Sequence, residues 1–500
     1  MLKRRIKTLL KVLLALVVFL FAFLLFERVR GQISLARYKR ELAAKGEKLT
    51  FRELIPPIPQ GENAAPEVLE AIKHLQKGAV LPDRYPPKMK IMPSGRAVVG
   101  FREKEWIEDK VTNHWDQLAA DLKTNEATLA QIRLALEKPV LNNKLDYSQG
   151  FKMRLEHLSP AKRLAMWLTA ASQLALHENK PHEAVDNLVA LIRLPRLLVE
   201  DRLVISEHVR IAIAAIARAT TWEALQADGW TDEDLARIQQ AWQGEDFMTA
   251  MARGLEGDRA FGQTTRAQLR HSNADVVEAL FWQDYITWDD EPHRIWWHKP
   301  DKKEVYCRIW RCAWLHQEER HYLEAMQHLL EIARAATEAK SYRKILPLLE
   351  EFESKTKNSN FYDELRFPMS QQSLATLSKA LQHAMRAETE RSLTVCAIAL
   401  KRYSLRYGKS PASLDSLVPE FLSSVPTDYM DGKPMKYHLN ADGGFTLYSV
   451  GEDGKDDGGD TSMFPNKVHV RVLWERRDFV WPSPALPDEI EAYRQETGKN

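Results

Sequence analysis

Apolar and polar positions divide the chain into stretches of different period. From Leu9 to Phe26 every residue is apolar except Lys11. Those 18 residues, at a rise of 1.5 Å each, form a helix of about 27 Å, close to the thickness of a bilayer's hydrocarbon core. Lys11 lies near one end, where its side chain reaches the headgroups. A cleaved signal peptide would end its apolar run on small residues, whereas here Leu25-Phe26 leads into Glu27-Arg28-Val29-Arg30. The pattern predicts a short tail at 1–8, an uncleaved single-pass transmembrane helix at 9–26 and a linker at 27–60.

The body, 61–371, is helical in period. Leu164, Ala165, Leu168, Ala171 and Leu174 recur at three- and four-residue spacing, as do Ala184, Leu188, Leu191 and Ile192. The polar turn His177 to His182 between them makes a helical hairpin of 160–200. Further helices are expected at 204–227, 231–251, 322–351 and 373–407, with Thr231 as an N-cap. A repeat near 34 residues does not persist, so the expected fold class is mainly α, as hairpins in a bundle or irregular solenoid.

Near the C-terminus the period shortens to two. Lys436–Leu439 and Phe445–Ser449 read as strands joined by the turn-rich Asn440-Ala441-Asp442-Gly443-Gly444. Before them lies a helix ending at Tyr407, with Gly408 as its C-cap, and a short helix at 413–421. A small α+β domain at 372–482 and a tail at 483–500 are expected.

Composition narrows the functional classes. The formal net charge is +2, which implies no nucleic-acid partner. Three cysteines, Cys307, Cys312 and Cys396, make no disulfide framework. His177-Glu178 and His182 resemble a zinc-protease helix, but the spacing is five and Pro181 breaks the helix. Gly408-Lys409-Ser410 lacks the upstream glycine of a phosphate loop, since Tyr403 stands there. No catalytic constellation emerges, and the chain is not expected to be an enzyme. The segment Trp282 to Trp314 holds Trp282, Trp288, Trp296, Trp297, Trp310 and Trp314 with His293 and His298. It reads either as a ligand groove of an extracytoplasmic binding protein or enzyme, or as bulky core between helices.

One stretch carries a family likeness. Tyr403 and Tyr407-Gly408, Pro411-x-Ser413-Leu414-x-x-Leu417, Pro426-x-Asp428, Gly432-x-Pro434, Tyr437, and Tyr448-Ser449-x-Gly451-x-Asp453-Gly454 follow in that order. This stretch resembles the extracytoplasmic domain of the type II secretion major pseudopilin. The helical body resembles that of uncharacterised membrane-anchored bacterial proteins carrying such a module. The resemblance implies an inner-membrane location, a cytoplasmic N-terminus and an extracytoplasmic body. Charge alone leaves orientation open, because Lys3, Arg4, Arg5, Lys7 and Lys11 before the span balance Arg28, Arg30, Arg37, Lys39 and Arg40 after it. A pseudopilin is a short chain processed at a glycine before its own helix. Here Gly31 follows the span, which argues for an interaction or scaffold protein with protein partners rather than a filament subunit. The resemblance also implies a calcium loop, with Leu447, Ser449, Asp453, Asp456, Asp457 and Asp478 as the expected ligands. Ca²⁺ takes six to eight oxygens, and the glycines at 451–460 would let the chain wrap an ion. The other reading of the same loop is a solvated acidic turn.

Overall fold

A computed structural model describes residues 2–55, 62–81, 89–107, 112–281, 300–357, 360–465 and 472–496. The described residues are mainly helical. In chain order the helices are α1 (Leu2–Ala44), α2 (Phe51–Leu54), α3 (Ala65–Lys73), α4 (Trp115–Leu136), α5 (Leu158–His177), α6 (Pro181–Arg193), α7 (Val204–Leu225) and α8 (Asp232–Gln243). Then come α9 (Phe247–Leu269), α10 (Asn273–Phe281), α11 (Pro300–Ala313), α12 (Leu315–Ala339), α13 (Tyr342–Lys357), α14 (Phe361–Arg366), α15 (Pro368–Tyr407) and α16 (Pro487–Glu496). Strands β1 (Trp106–Ile107) and β2 (Thr112–Asn113) pair as a short ribbon. Strands β3 (Lys436–Leu439), β4 (Phe445–Ser449) and β5 (Phe479–Val480) form an antiparallel sheet of order β3-β4-β5.

The first helix is long and apolar enough to cross a membrane, and no residue of its apolar window is buried. The residues after the span, expected to be a linker, continue the same helix as far as Ala44. They do so because one face is covered. Glu27, Gly31, Leu35 and Leu42 recur at multiples of about one turn and are buried against the body, chiefly on α12. Gly31 belongs to this contact: a Cβ there would lie 3.0 Å from Gln317 Cγ.

The α5–α6 hairpin forms with its turn at 178–180 and Pro181 opening the second helix. Thr231 caps α8 in a reciprocal pair with Asp234, as the pattern predicts. Two helices expected to be continuous are broken. The stretch 231–251 divides at Gly244, and α9 restarts at Phe247. Its first free N–H groups donate to the buried Glu388 Oε1, at 2.5 Å from Phe247 and 3.3 Å from Met248, and Asp246 caps Thr249 at 2.8 Å. The stretch 322–351 divides at Lys340, whose φ is +48°. There α13 begins with Tyr342 N–H donating to Tyr429 O at 2.7 Å and Arg343 N–H to Met430 O at 3.1 Å.

The sheet is not set apart from the helices. Leu393, Cys396 and Leu400 of α15, with Leu447, Phe479 and Trp481, share one buried cluster with Leu164, Leu188, Trp222 and Trp242 of the body. The first half of α15, through Leu374, Leu381 and Met385, belongs to a second cluster with α9, α12 and α13. The expected domain edge at 372 thus falls inside a single 40-residue helix that spans two cores. Trp222 Nε1 donates to Pro482 O at 2.7 Å, and Gln239 Nε2 donates to Phe421 O at 2.7 Å, tying the C-terminal part to α7 and α8. A third cluster joins α10 and α11 around Trp310 and Trp314, and Leu24 of α1 packs against it.

Candidate functional site

The acidic loop 451–460 leaves the sheet at β4 and returns toward β5. Gly451, Gly454, Gly458 and Gly459 all take positive φ, between +66° and +83°, so the loop reverses repeatedly without β-carbon strain. At Gly451 the backbone also approaches Arg477 O closely, where a Cβ would lie 2.7 Å away.

Each of the six expected ligands has a contact within the fold. Leu447 O accepts from Trp481 N–H at 2.8 Å within the sheet. Ser449 Oγ donates to Asp428 Oδ1 at 2.9 Å. Asp453 Oδ1 accepts from Lys455 N–H at 3.0 Å, a local Asx turn. Asp456 Oδ1 accepts from Tyr448 O–H at 2.8 Å and Gly458 N–H at 3.1 Å. Asp457 lies 3.8 Å from Arg477. Asp478, fully buried, accepts through Oδ2 from Gly459 N–H at 2.8 Å and Asp460 N–H at 3.1 Å. Burial raises its pKa, and the backbone N–H groups pull the other way. Its Oδ1 has no hydrogen-bond partner. Among the described residues no three His, Cys, Asp or Glu side chains form a group able to hold a metal ion.

Three guanidinium groups contact the loop. Arg343 of α13 donates to Asp453 O at 2.6 Å. Arg386 of α15 donates to Glu452 Oε1 at 2.6 Å, and Gln382 donates to the same oxygen at 2.7 Å. Arg477 approaches both Asp457 and Asp460, the latter at 3.5 Å. Charge-assisted contacts of this kind are the strong class of hydrogen bond. They hold the loop against α13 and α15.

Asp428 organises the base of the loop and was not among the expected ligands. It is fully buried and accepts from Met430 N–H and Ser449 O–H, each at 2.9 Å, and from Val450 N–H at 3.0 Å. Burial pushes its pKa up to about 6, against the pull of those three donors. The signal for it was present in Pro426-x-Asp428, which marks a turn: Met435 N–H donates to Pro426 O at 3.0 Å and Gly432 N–H to Asp428 O at 2.8 Å.

Several of the other candidate residues make structural contacts. His177 stacks on Trp115, and its Nδ1 lies 2.8 Å from Phe101 O. His182 pairs with Asp234 at 2.6 Å, on the far side of the turn. Trp310 and Trp314 are core residues, and Trp310 Nε1 donates to Arg366 O at 2.9 Å. Trp282, Trp288, His293, Trp296, Trp297 and His298 lie outside the described residues. Cys307 and Cys396 are buried thiols, and Cys312 is an exposed one. A cleft of about 460 Å³ between the 139–142 segment and the start of α9 includes Arg210 and Glu245 in its lining. That pair is already closed: Arg210 donates to Glu207 at 2.5 Å, Glu245 at 3.1 Å and Pro195 O at 3.1 Å. Next to it, buried Asp201 binds His157 and Ser206, each at 2.7 Å, and Asn143 at 2.8 Å. No protein-family model, curated protein or solved structure matches this chain.

Proposed function

We propose that this chain is a bitopic protein of the bacterial inner membrane whose helical body is an extracytoplasmic scaffold for protein partners, with a pseudopilin-like part at its C-terminal end. The observation that carries the reading is the continuity of α1. One helix runs from the apolar span into the body, where Leu35 enters a core cluster. Polar locks reinforce it. Gln317 Nε2 donates to Glu27 Oε2 at 2.8 Å, Lys39 donates to Glu319 at 2.5 Å, and Arg259 and Arg334 both bind Glu47. A body fused rigidly to its anchor presents its faces at a set height and orientation, which suits a scaffold better than a tethered, freely diffusing enzyme. Gly31 is packed against Gln317 in the middle of α1, which speaks against a processing site and a filament subunit.

Two measurements test this. A reporter fused after Asn500 is expected to be active outside the cytoplasm, and cytoplasmic activity would reject the orientation. Cross-linking in intact membranes is expected to trap a discrete protein adduct of the full chain. A chain that stays free of adducts under cross-linkers of several lengths would reject the scaffold role.

A further inference from the structure

The surface beside the membrane end of α1 carries an inference that rests on the anchor reading. A hydrocarbon core of about 30 Å takes about 20 helical residues, so a span starting at Leu9 ends near Arg28 and Val29. Glu27 lies at that boundary and is almost fully buried. A carboxylate at that depth needs partners, and it has Arg30 at 2.9 Å, Gln317 at 2.8 Å and Tyr362 at 3.3 Å. The body therefore meets α1 at the bilayer surface, reaching about one turn below it at Leu24, and the N-terminal end of α12 lies at headgroup height.

Beside this contact, α1 and Arg320 of α12 enclose a groove of about 520 Å³. Its apolar floor is Phe26, Val29 and Ile33, on one helical face and 62%, 44% and 57% exposed. Its cationic residues are Arg30, Arg37 and Arg320. Arg37 has no hydrogen-bond or ion-pair partner among the described residues. Arg30 contacts Glu27 and Gln317 through one terminal nitrogen, and Arg320 contacts Glu324 through Nε and Nη2, so both keep free N–H donors. Glu41, the acidic lining residue, stands at the end away from the span. From Val29, Ile33 rises about 6 Å and Arg37 about 12 Å, which brackets a headgroup layer of about 5–7 Å. The groove is thus continuous with the lipid-facing surface of the span at Phe26, and cationic where phosphates lie.

We propose that this groove seats one anionic phospholipid of the anchoring bilayer. Its upper acyl chain and glycerol lie along Phe26, Val29 and Ile33, and its phosphate is held by Arg30, Arg37 and Arg320. A second copy of the chain fits less well, because a symmetric parallel contact along this face sets Arg30 and Arg37 against their own copies.

The test uses the full chain in detergent, with native mass spectrometry during titration by phosphatidylglycerol and phosphatidylcholine of identical acyl chains. A basic residue near anionic lipid is worth about fivefold in binding. The expected result is preferential retention of phosphatidylglycerol by at least about fivefold, falling toward parity in Arg37→Gln/Arg320→Gln. Arg30 is left intact because it also holds Glu27. A control, Lys355→Gln/Lys357→Gln, changes two exposed cations on α13 and is expected to keep the preference. Equal retention of the two lipids by a firmly membrane-bound protein would overturn the groove alone, as would an unchanged preference in the arginine variant. A protein adduct or dimer lost in that variant would also overturn it, by placing a different occupant there. A chain extracted from membranes by alkaline carbonate would sink the anchor and the groove together.

Discussion

At the scale of single residues, the acidic loop depends on side chains that accept several bonds at once. Asp428 is the clearest of them. Its removal leaves Met430 N–H, Val450 N–H and the Ser449 hydroxyl without their acceptor in a buried place. Each unsatisfied buried donor costs about 1–3 kcal/mol, so Asp428→Ala is expected to lose at least about 2 kcal/mol in urea unfolding of the full chain. A loss near zero would show that the turn relaxes around the gap. The arginine contacts predict a smaller effect. Arg386 and Glu452 are each about a quarter exposed in their side chains, so Arg386→Gln is expected to lower stability by about 1 kcal/mol or less. Because guanidiniums already meet the loop, millimolar calcium is expected to leave the melting temperature unchanged in the unmodified protein. A calcium-dependent rise would mean that the loop rearranges to bind the ion through groups such as the unpartnered Asp478 Oδ1.

At the scale of elements, packing rests on close approach of helix backbones. Gly257 of α9 faces the carbonyl of Arg202, and a Cβ there would lie 1.6 Å from that oxygen. The same approach lets Asp258 accept from Val204 N–H at the start of α7, at 3.3 Å. Gly257→Ala must push α9 away from α7, and an overpacked contact of this kind costs about 1–3 kcal/mol. A melting temperature lowered by several degrees is the expected readout; an unchanged one would show that α9 moves freely. The docked half of α1 predicts a kinetic effect. Gly31→Leu places a bulky side chain against Gln317 and is expected to speed proteolysis within 45–55 while membrane partition stays the same. Equal proteolysis rates would mean that the other α1 contacts suffice.

At the scale of the molecule, stability is expected to depend on pH through buried carboxylates. Burial is the leading cause that raises Glu223 and Asp258 to about 7, and Asp428 to about 6. Each folded pKa lies above the unfolded value, so the folded state binds more protons between about pH 4 and 7. Their stabilisation is full below the unfolded pKa and is lost as pH rises through the folded one. Glu47 works in the opposite sense. Hydrogen bonds from Arg334, with Gln327 and Arg259, outweigh burial and hold it at about 2. Its contribution is present above about pH 4.5 and is lost as pH falls toward 2. The melting temperature of the full chain in detergent is therefore expected to rise from pH 8 to pH 5 and to fall again below pH 4. A steady decline from pH 8 to pH 5 would contradict it.

The elements readable in the sequence are those whose signal is local. The apolar helix at Leu9–Phe26, the hairpin around Pro181, the Thr231 cap, the Gly408 cap and strands Lys436–Leu439 and Phe445–Ser449 all follow from period and from turn or cap chemistry within a few residues. Tertiary structure decided whatever depends on partners far along the chain. The breaks at Gly244 and Lys340 hold because Glu388, Tyr429 and Met430 supply acceptors to the freed N–H groups. The residues after Phe26 stay helical because α12 covers their polar and apolar positions alike. The acidic loop, dense enough in carboxylates to suggest a cation, meets Arg343, Arg386 and Arg477. Local pattern determines which segments form helices and strands; which charge meets which is set only when distant segments share a surface.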